Sequence, residues 1–172
     1  MFKKDVYINR RKQLKEKVGS GLIVLLGNGE TPMNYPGNDY LFRQDSTFLY
    51  YFGLDIPDLT GIIDADNDKE YIFGDDVDLE DIIWMGPQPS MKELSREVGV
   101  ENSHPNKELP DFLQKAKNKG QQLHVIPFYR GENIIKFANL LGINHTDTEE
   151  YVSEKLIRAV IDMRSIKDQY EI

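Results

Sequence analysis

Residues 38–53 read NDYLFRQDSTFLYYFG, which passes from a loop through an arginine, an amide and a carboxylate into an aromatic run. Aromatic and β-branched residues favour strands, so residues 47–52 are predicted to form a β-strand that ends at the following glycine. Arg43 is expected to form a bidentate ion pair with Asp39 or Asp45. Such a pair would fix the loop where the strand begins.

The segments before this stretch predict a helix, a strand and a long loop. Tyr7, Leu14 and Val18 share one helical face, and Gly19 ends that helix. Residues 22–26 form a continuous apolar run between glycines, which is typical of a buried strand. The following residues, up to position 39, are rich in Gly, Pro and Asn and are predicted to be irregular. Ordered loops of this length are often functional.

The segments after it predict a hairpin and then alternating helices and strands. Residues 61–64 and 70–73 flank a polar turn, which indicates a hairpin. Ser90 and Glu93 form a capping box that begins a helix. The remaining predicted elements are a helix at 112–118, a strand at 123–126, and helices at 133–141 and 148–161. This order predicts an α/β fold in which helices pack on the faces of a mixed sheet.

The composition indicates one folded domain and excludes several classes of partner. The 172 residues suffice for one sizeable core, and the formal net charge is −8. An acidic surface repels phosphate backbones, so no nucleic acid is expected as a partner. The apolar runs are far shorter than the roughly 20 residues that cross a bilayer, so no membrane is expected. The absence of cysteine excludes disulfides and thiolate metal sites and favours a cytoplasmic location.

No catalytic or metal site can be assembled from residues close in the sequence. The three histidines are His104, His124 and His145. They are not spaced as metal ligands on one face of an element. The alternate aspartates in residues 64–68 resemble the start of a calcium loop but lack its glycine and its final glutamate. Residues 27–29, Gly-Asn-Gly, lack the ending of a phosphate-binding loop. A structural role is favoured for all of these.

Trp84 is the only tryptophan, and it precedes a Gly-Pro turn. Its neighbours Ile82, Ile83 and Met85 can supply core contacts, which would leave the indole free to face outward. Large aromatic side chains are usually mostly buried, yet they are also enriched at binding surfaces. Core packing and a contact role are therefore both open at this position.

Four segments of the chain together match one family pattern. A Tyr-x-Phe/Tyr-Arg-Gln-x-Ser-x-Phe-x-Tyr-x-x-Gly block is matched by Tyr40, Phe42, Arg43, Gln44, Ser46, Phe48, Tyr50 and Gly53. An Ile-Trp-x-Gly block is matched by Ile83, Trp84 and Gly86, and the first helix carries Arg10, Arg11 and Leu14. Residues 164–172 look like an Arg-x-x-Lys-x-x-x-Glu-Ile junction. The chain thereby resembles the N-terminal domain of Xaa-Pro aminopeptidases (aminopeptidase P) and the related prolidases.

The resemblance implies a fold and a division of the chain. The fold is the creatinase/prolidase N-terminal domain, a three-layer mixed β-sheet with flanking helices and a ribonuclease H-like motif, over residues 1–163. Residues 164–172 are then the junction to a pita-bread catalytic domain that the chain lacks. Asp168 and Glu171 form a helix-start signature close to Ile172, which we interpret as the first turn of that domain.

The resemblance also implies a function. In this family the domain builds the oligomer and walls the active-site entrance of a metallopeptidase that removes an N-terminal residue preceding proline. Substrate or entrance contacts are expected from Trp84, Asp39, Tyr40 and Arg43, and no catalytic residue or metal ligand from this chain. Two divalent metal ions, usually manganese, belong to the catalytic domain, so this chain alone is expected to be inactive.

The expected partners are a proline-containing peptide and further copies of the protein in a dimer or tetramer. The alternative is a non-catalytic peptide- or protein-binding module of creatinase-like fold.

Overall fold

The structure, a computed structural model, describes residues 2–77, 83 and 86–171. The strands in these ranges are β1 (Leu22–Leu26), β2 (Thr60–Asp64), β3 (Lys69–Phe73), β4 (Asn102–His104) and β5 (Leu123–His124). The α-helices in the same ranges are α1 (Lys4–Val18), α2 (Ser46–Phe52), α3 (Met91–Glu97), α4 (Leu109–Asn118), α5 (Gly131–Leu141) and α6 (Glu154–Ser165). Two 3₁₀ helices, Asn106–Glu108 and His145–Tyr151, precede α4 and α6.

The strands form one mixed sheet in the order β4-β3-β2-β1-β5. β2 and β3 are the predicted hairpin, and β1 pairs antiparallel with β2. β5 lies parallel to β1, and β4 lies parallel to β3. The predicted α/β fold with a mixed sheet and flanking helices is confirmed.

β1 is buried along its whole length because helices cover both faces of the sheet. Its residues Ile23 and Leu25 join a cluster with α1, α2 and α6. Leu22, Val24 and Leu26 join a second cluster with α4 and α5. Successive residues of a strand face opposite sides, so a central strand between two helical layers needs an unbroken apolar run.

Helix ends follow the predicted capping residues. The N–H of Gly19, which has a φ of 83°, donates to the Lys15 carbonyl at 2.7 Å and ends α1. At the start of α3, the Ser90 hydroxyl accepts from the Glu93 N–H at 3.3 Å. The Glu93 carboxylate in turn accepts from the Ser90 N–H at 2.8 Å. The predicted capping box is confirmed.

The predicted strand at 47–52 is wrong, because this segment forms the helix α2. The Asp45 carboxylate accepts hydrogen bonds from the N–H groups of Thr47 and Phe48 at 2.9 and 2.8 Å. It thereby satisfies two donors of the first turn. The left-handed Gly53, with a φ of 69°, ends the helix. The buried residues of α2 are Thr47, Phe48, Tyr51 and Phe52. Their helical spacing lets the aromatic side chains be buried despite their preference for strands.

The predicted helix at 148–161 is also wrong at its start. A 3₁₀ helix, His145–Tyr151, occupies that part of the chain. Val152 then pairs with Val125 in an isolated parallel bridge beside β5. The Ser153 hydroxyl accepts from the Leu156 N–H at 3.2 Å and begins α6. The extended residues 152–153 therefore separate the 3₁₀ helix from α6.

The turn between β2 and β3 uses its aspartates for hydrogen bonds within the turn. The Asp64 carboxylate accepts from the N–H groups of Asp66 and Asn67 at 3.2 and 3.1 Å. Within the described ranges, no group of three or more His, Cys, Asp or Glu side chains could hold a metal ion. The hydrogen bonds of Asp64 are those of a turn that joins the two strands of the predicted hairpin.

No helix in the part of the chain that the structure describes is long and apolar enough to cross a membrane.

Candidate functional site

The loops that follow β1 and β5 meet at the carboxyl end of these two parallel strands. This edge is where open α/β sheets commonly bind ligands. A pocket of about 430 Å³ lies there, which we call the loop pocket. Its walls are formed by Asn28, Arg43, Gln44, Ser46, Tyr129 and Arg130.

Gln44 fixes the loop after β1 with both ends of its buried amide. Its Oε1 accepts from the N–H groups of Asn28 and Asp45 at 2.7 and 2.9 Å. Its Nε2 donates to the carbonyls of Ile56 and Leu54 at 2.7 and 3.4 Å. One side chain therefore joins the start of the loop, its end and the segment after α2. Another residue type at this position would leave buried backbone groups without partners.

Asn28 joins the two loops to each other. Its Nδ2 donates to the Arg43 carbonyl at 2.9 Å and to the Tyr129 hydroxyl at 3.2 Å. The neighbouring Gly27 is required by this packing, since a Cβ there would lie 2.9 Å from Oε1 of Gln44 and 2.9 Å from the Leu59 carbonyl. The Gly-Asn-Gly segment is thus a structural turn that also supplies one wall of the pocket.

Residues 31–40 form a closed loop tied to the pocket. The Tyr40 N–H donates to the Thr31 carbonyl at 2.9 Å, and Pro32 forms an isolated antiparallel bridge with Asp39. The Arg130 guanidinium donates to the Thr31 hydroxyl and so connects this loop to the segment after β5. Tyr40 is 60% exposed and is available for contacts.

The structure brings three of the four predicted contact residues to this edge of the sheet. Arg43 lines the loop pocket, while Asp39 and Tyr40 belong to the loop of residues 31–40. Trp84 lies outside the described residues. The expected ion pair of Arg43 with Asp39 or Asp45 is wrong, because no ion pair joins these side chains and the Asp45 carboxylate instead caps α2.

The model of one known protein family matches most of the chain. Residues 7–126 match the family model "Aminopeptidase P, N-terminal domain". The chain belongs to this family. A "Probable Xaa-Pro aminopeptidase" of Ajellomyces capsulatus is 27% identical over 165 residues, which are 95% of this chain. A "Probable Xaa-Pro aminopeptidase" of Aspergillus flavus is 28% identical over 165 residues, also 95% of this chain.

Solved structures of aminopeptidase P share the fold. The low-pH form of the Escherichia coli enzyme superimposes with a TM-score of 0.78 at 18% identity, over 98% of this chain and 40% of that one. The zinc-substituted Escherichia coli enzyme in complex with product gives a TM-score of 0.76 at 19% identity, over 98% and 40%. The chain spans about a third of the curated relatives, 31% and 32% of the two named above.

Two buried arginines of α1 connect the elements of this aminopeptidase P N-terminal domain. Arg11 donates to the carbonyls of Tyr51, Val98 and Gly99 at 2.8, 2.9 and 3.1 Å. Burial lowers the pKa of Arg11 to about 10, which leaves it charged at neutral pH. Arg10 donates to the Tyr50 carbonyl at 3.1 Å, and its guanidinium lies 3.8 Å from the centre of the Tyr50 ring. Both arginines therefore have structural roles.

Reasoning from the sequence missed Asn28, Tyr129 and Arg130 as pocket residues. Asn28 lies just after the carboxyl end of a buried strand, and this position could have indicated a ligand-binding residue. Tyr129 and Arg130 come after a strand of only two residues, β5. Their place in the pocket depends on the parallel pairing of β5 with β1, which the local pattern does not contain.

Proposed function

We propose that this chain is the N-terminal domain of a metal-dependent Xaa-Pro aminopeptidase, which removes an N-terminal residue preceding proline. The observation that carries the proposal is the alignment of relatives named Xaa-Pro aminopeptidase over 95% of the chain. In this proposal residues 1–163 are the domain and residues 164–172 are the junction to a pita-bread catalytic domain. The protein acts in the cytoplasm.

The catalytic domain would hold two divalent metal ions, usually manganese, whose chemistry is Lewis-acid activation of water and of the scissile carbonyl. A bond to proline has no N–H, so the substrate must be recognised without that donor. The 172-residue chain alone is inactive in this proposal.

The chain's own role would be to wall the active-site entrance and to assemble a dimer or tetramer. Asp39, Tyr40, Arg43 and Trp84 would contact the peptide substrate. Support comes from the first three, which the fold places at one edge of the sheet. Exposed apolar side chains in the same region suit contacts with a peptide or another copy: Met33, Tyr35, Tyr40 and Leu41 are 50%, 60%, 60% and 98% exposed.

The test compares this chain with the longer protein of its reading frame. We expect manganese-dependent release of glycine from Gly-Pro peptides by the longer protein, and none by the 172-residue chain. A peptide with alanine in place of proline is the matched control for specificity. Cleavage by the short chain, or no metal-dependent cleavage by the long protein, would contradict the proposal. A long protein that binds such peptides without cleaving them would support the binding-module alternative.

A further inference from the structure

We propose that the loop pocket binds the free carboxylate of a short peptide. This inference rests on the proposed function, which makes Arg43 a contact of the peptide substrate, and it names the part of the peptide that Arg43 would hold. Its test measures binding to the 172-residue chain and not cleavage, so its failure can be distinguished from the failure of the proposed peptidase activity.

The polar side chains that line the pocket differ in whether the fold already supplies their hydrogen-bond partners. The Gln44 amide is engaged at both ends, and Asn28 Nδ2 is engaged with Arg43 and Tyr129. The Arg43 side chain is exposed, and its guanidinium makes no hydrogen bond or ion pair with any part of the chain that the structure describes. A guanidinium carries five N–H donors and no acceptor.

Two hydroxyl groups extend this donor surface. The Tyr129 oxygen accepts from Asn28 Nδ2, which leaves the phenolic hydrogen free to be donated to a ligand. Tyr129 is 70% exposed, so that hydrogen can be reached from solvent. Ser46, the first residue of α2, adds an exposed hydroxyl to the wall. The matching ligand is therefore rich in acceptors.

The charge at the pocket favours an anion. Arg43 and Arg130 both line it, and among its described lining residues none is acidic. Arg130 is paired with Glu132 at 2.9 Å, so Arg43 carries the uncompensated charge. This is a local exception in a chain with a net charge of −8. A carboxylate can accept two parallel hydrogen bonds from one guanidinium, which gives the pair both strength and orientation.

The surroundings favour a carboxylate that is attached to an organic chain. The 31–40 loop, which Arg130 ties to the pocket, exposes Met33 and Tyr40 by 50% and 60%. The Tyr129 ring adds to this apolar surface. A peptide end can cover it while its carboxylate meets Arg43, whereas inorganic phosphate has no apolar part.

The experiment titrates the 172-residue chain with acetyl-Ala-Ala and follows backbone and side-chain NMR signals. We expect saturable shifts at Asn28, Arg43 and Tyr129. Acetyl-Ala-Ala amide, which lacks the carboxylate, should bind at least about tenfold more weakly. Arg43→Met should weaken binding of the acid by a similar factor, because it removes the guanidinium and keeps the stem. Among the residues that the structure describes, the exposed side chain of Arg43 has no partner to lose, so this variant should keep the fold.

Arg158→Met is the matched control, because it removes the same charge from an exposed pair with Glu154 on α6. It should bind acetyl-Ala-Ala as the unchanged chain does. Equal binding of the acid and the amide, unchanged binding by Arg43→Met, or no saturable shifts would overturn the proposal. A pocket that takes inorganic phosphate but not the peptide acid would overturn it as well.

Discussion

At the scale of single residues, Arg11 is the side chain whose removal should disturb the domain most. It is fully buried, and its three acceptors are carbonyls at the carboxyl ends of α2 and α3. These carbonyls have no partner within their own helices, and a cation there also complements the helix dipoles. The guanidinium therefore joins two helix ends to α1.

We expect Arg11→Met to lower the free energy of unfolding by about 2–4 kcal/mol, because it leaves buried carbonyls without donors. Arg96→Met is the control, since Arg96 forms an exposed pair with Glu101, and this substitution should change stability by less than about 0.5 kcal/mol. Urea unfolding followed by circular dichroism measures both. Equal urea midpoints for the two variants would show that the hydrogen bonds of Arg11 do not stabilise the domain.

Gln44 illustrates how far single residues could be predicted. The sequence identifies it as part of a family block, and the fold family follows from that block. Its four hydrogen bonds could not be predicted, because they involve residues 28, 45, 54 and 56, whose positions depend on the turn of the chain around α2. The prediction that Arg43 and Tyr40 are contact residues depended on the same block, whereas the position of Tyr129 in the pocket depends on the long-range pairing of β5 with β1.

At the scale of elements, α2 is a helix because of its N-terminal cap and its helical spacing of buried residues, although its aromatic residues favour strands. Its aromatic residues suggested a strand, but they are buried at helical intervals. Asp45 satisfies the first N–H groups, and Gly53 ends the last turn. The hairpin, β1, α1 and the capping box of α3 were predicted correctly, because each has both its period and its end signals in the local sequence.

Asp45→Ala should lower the free energy of unfolding by about 1–2 kcal/mol, because the first turn of α2 loses its cap. The exposed Glu16→Ala on α1 is the control, with an expected change below about 0.5 kcal/mol. Thermal unfolding of both variants measures the difference. An Asp45→Ala variant as stable as this control would mean that packing alone holds the helix.

At the scale of the whole molecule, Arg10 connects the first helix with the last turn of the described chain. Its guanidinium lies 2.8 Å from the Asp168 carboxylate and 3.6 Å from that of Glu171. The Asp168 carboxylate also accepts from the Tyr170 N–H at 2.8 Å, and Glu171 accepts from the Asp168 N–H at 3.3 Å. The predicted helix-start signature therefore has its capping hydrogen bonds, and Arg10 holds the turn against α1.

Arg10→Met should speed the hydrogen exchange of the Tyr170 and Glu171 amides, because the turn loses its anchor. Lys17→Met is the control, since its pair with Asp162 is exposed and lies outside the turn. Two-dimensional NMR exchange at neutral pH measures both. Unchanged exchange rates of these amides in Arg10→Met would show that the turn is stable without Arg10.

The contact of Arg10 with the turn at residues 168–171 should be sensitive to acid. Although burial opposes the shift, the hydrogen bond from Arg10 lowers the pKa of Asp168 below 3.8. A carboxyl group whose pKa is lowered on folding stabilises the fold above its unfolded pKa and loses that effect as the pH falls through the folded value. The two amides should therefore be protected at neutral pH and lose protection in acid below about pH 3.8.

The sheet order has a consequence for how the pocket comes into being. β1 pairs with β2 across residues 27–59, whereas its other neighbour, β5, follows β2, β3 and β4 in the chain and begins only at Leu123. Closing that long loop carries the larger entropic cost. The walls of the loop pocket come from both sides of this closure, so a partly folded chain has no pocket. A ligand bound there would contact residues that follow both β1 and β5, the two paired strands that lie farthest apart in the sequence. It would therefore stabilise the fully folded domain and not a partly folded chain.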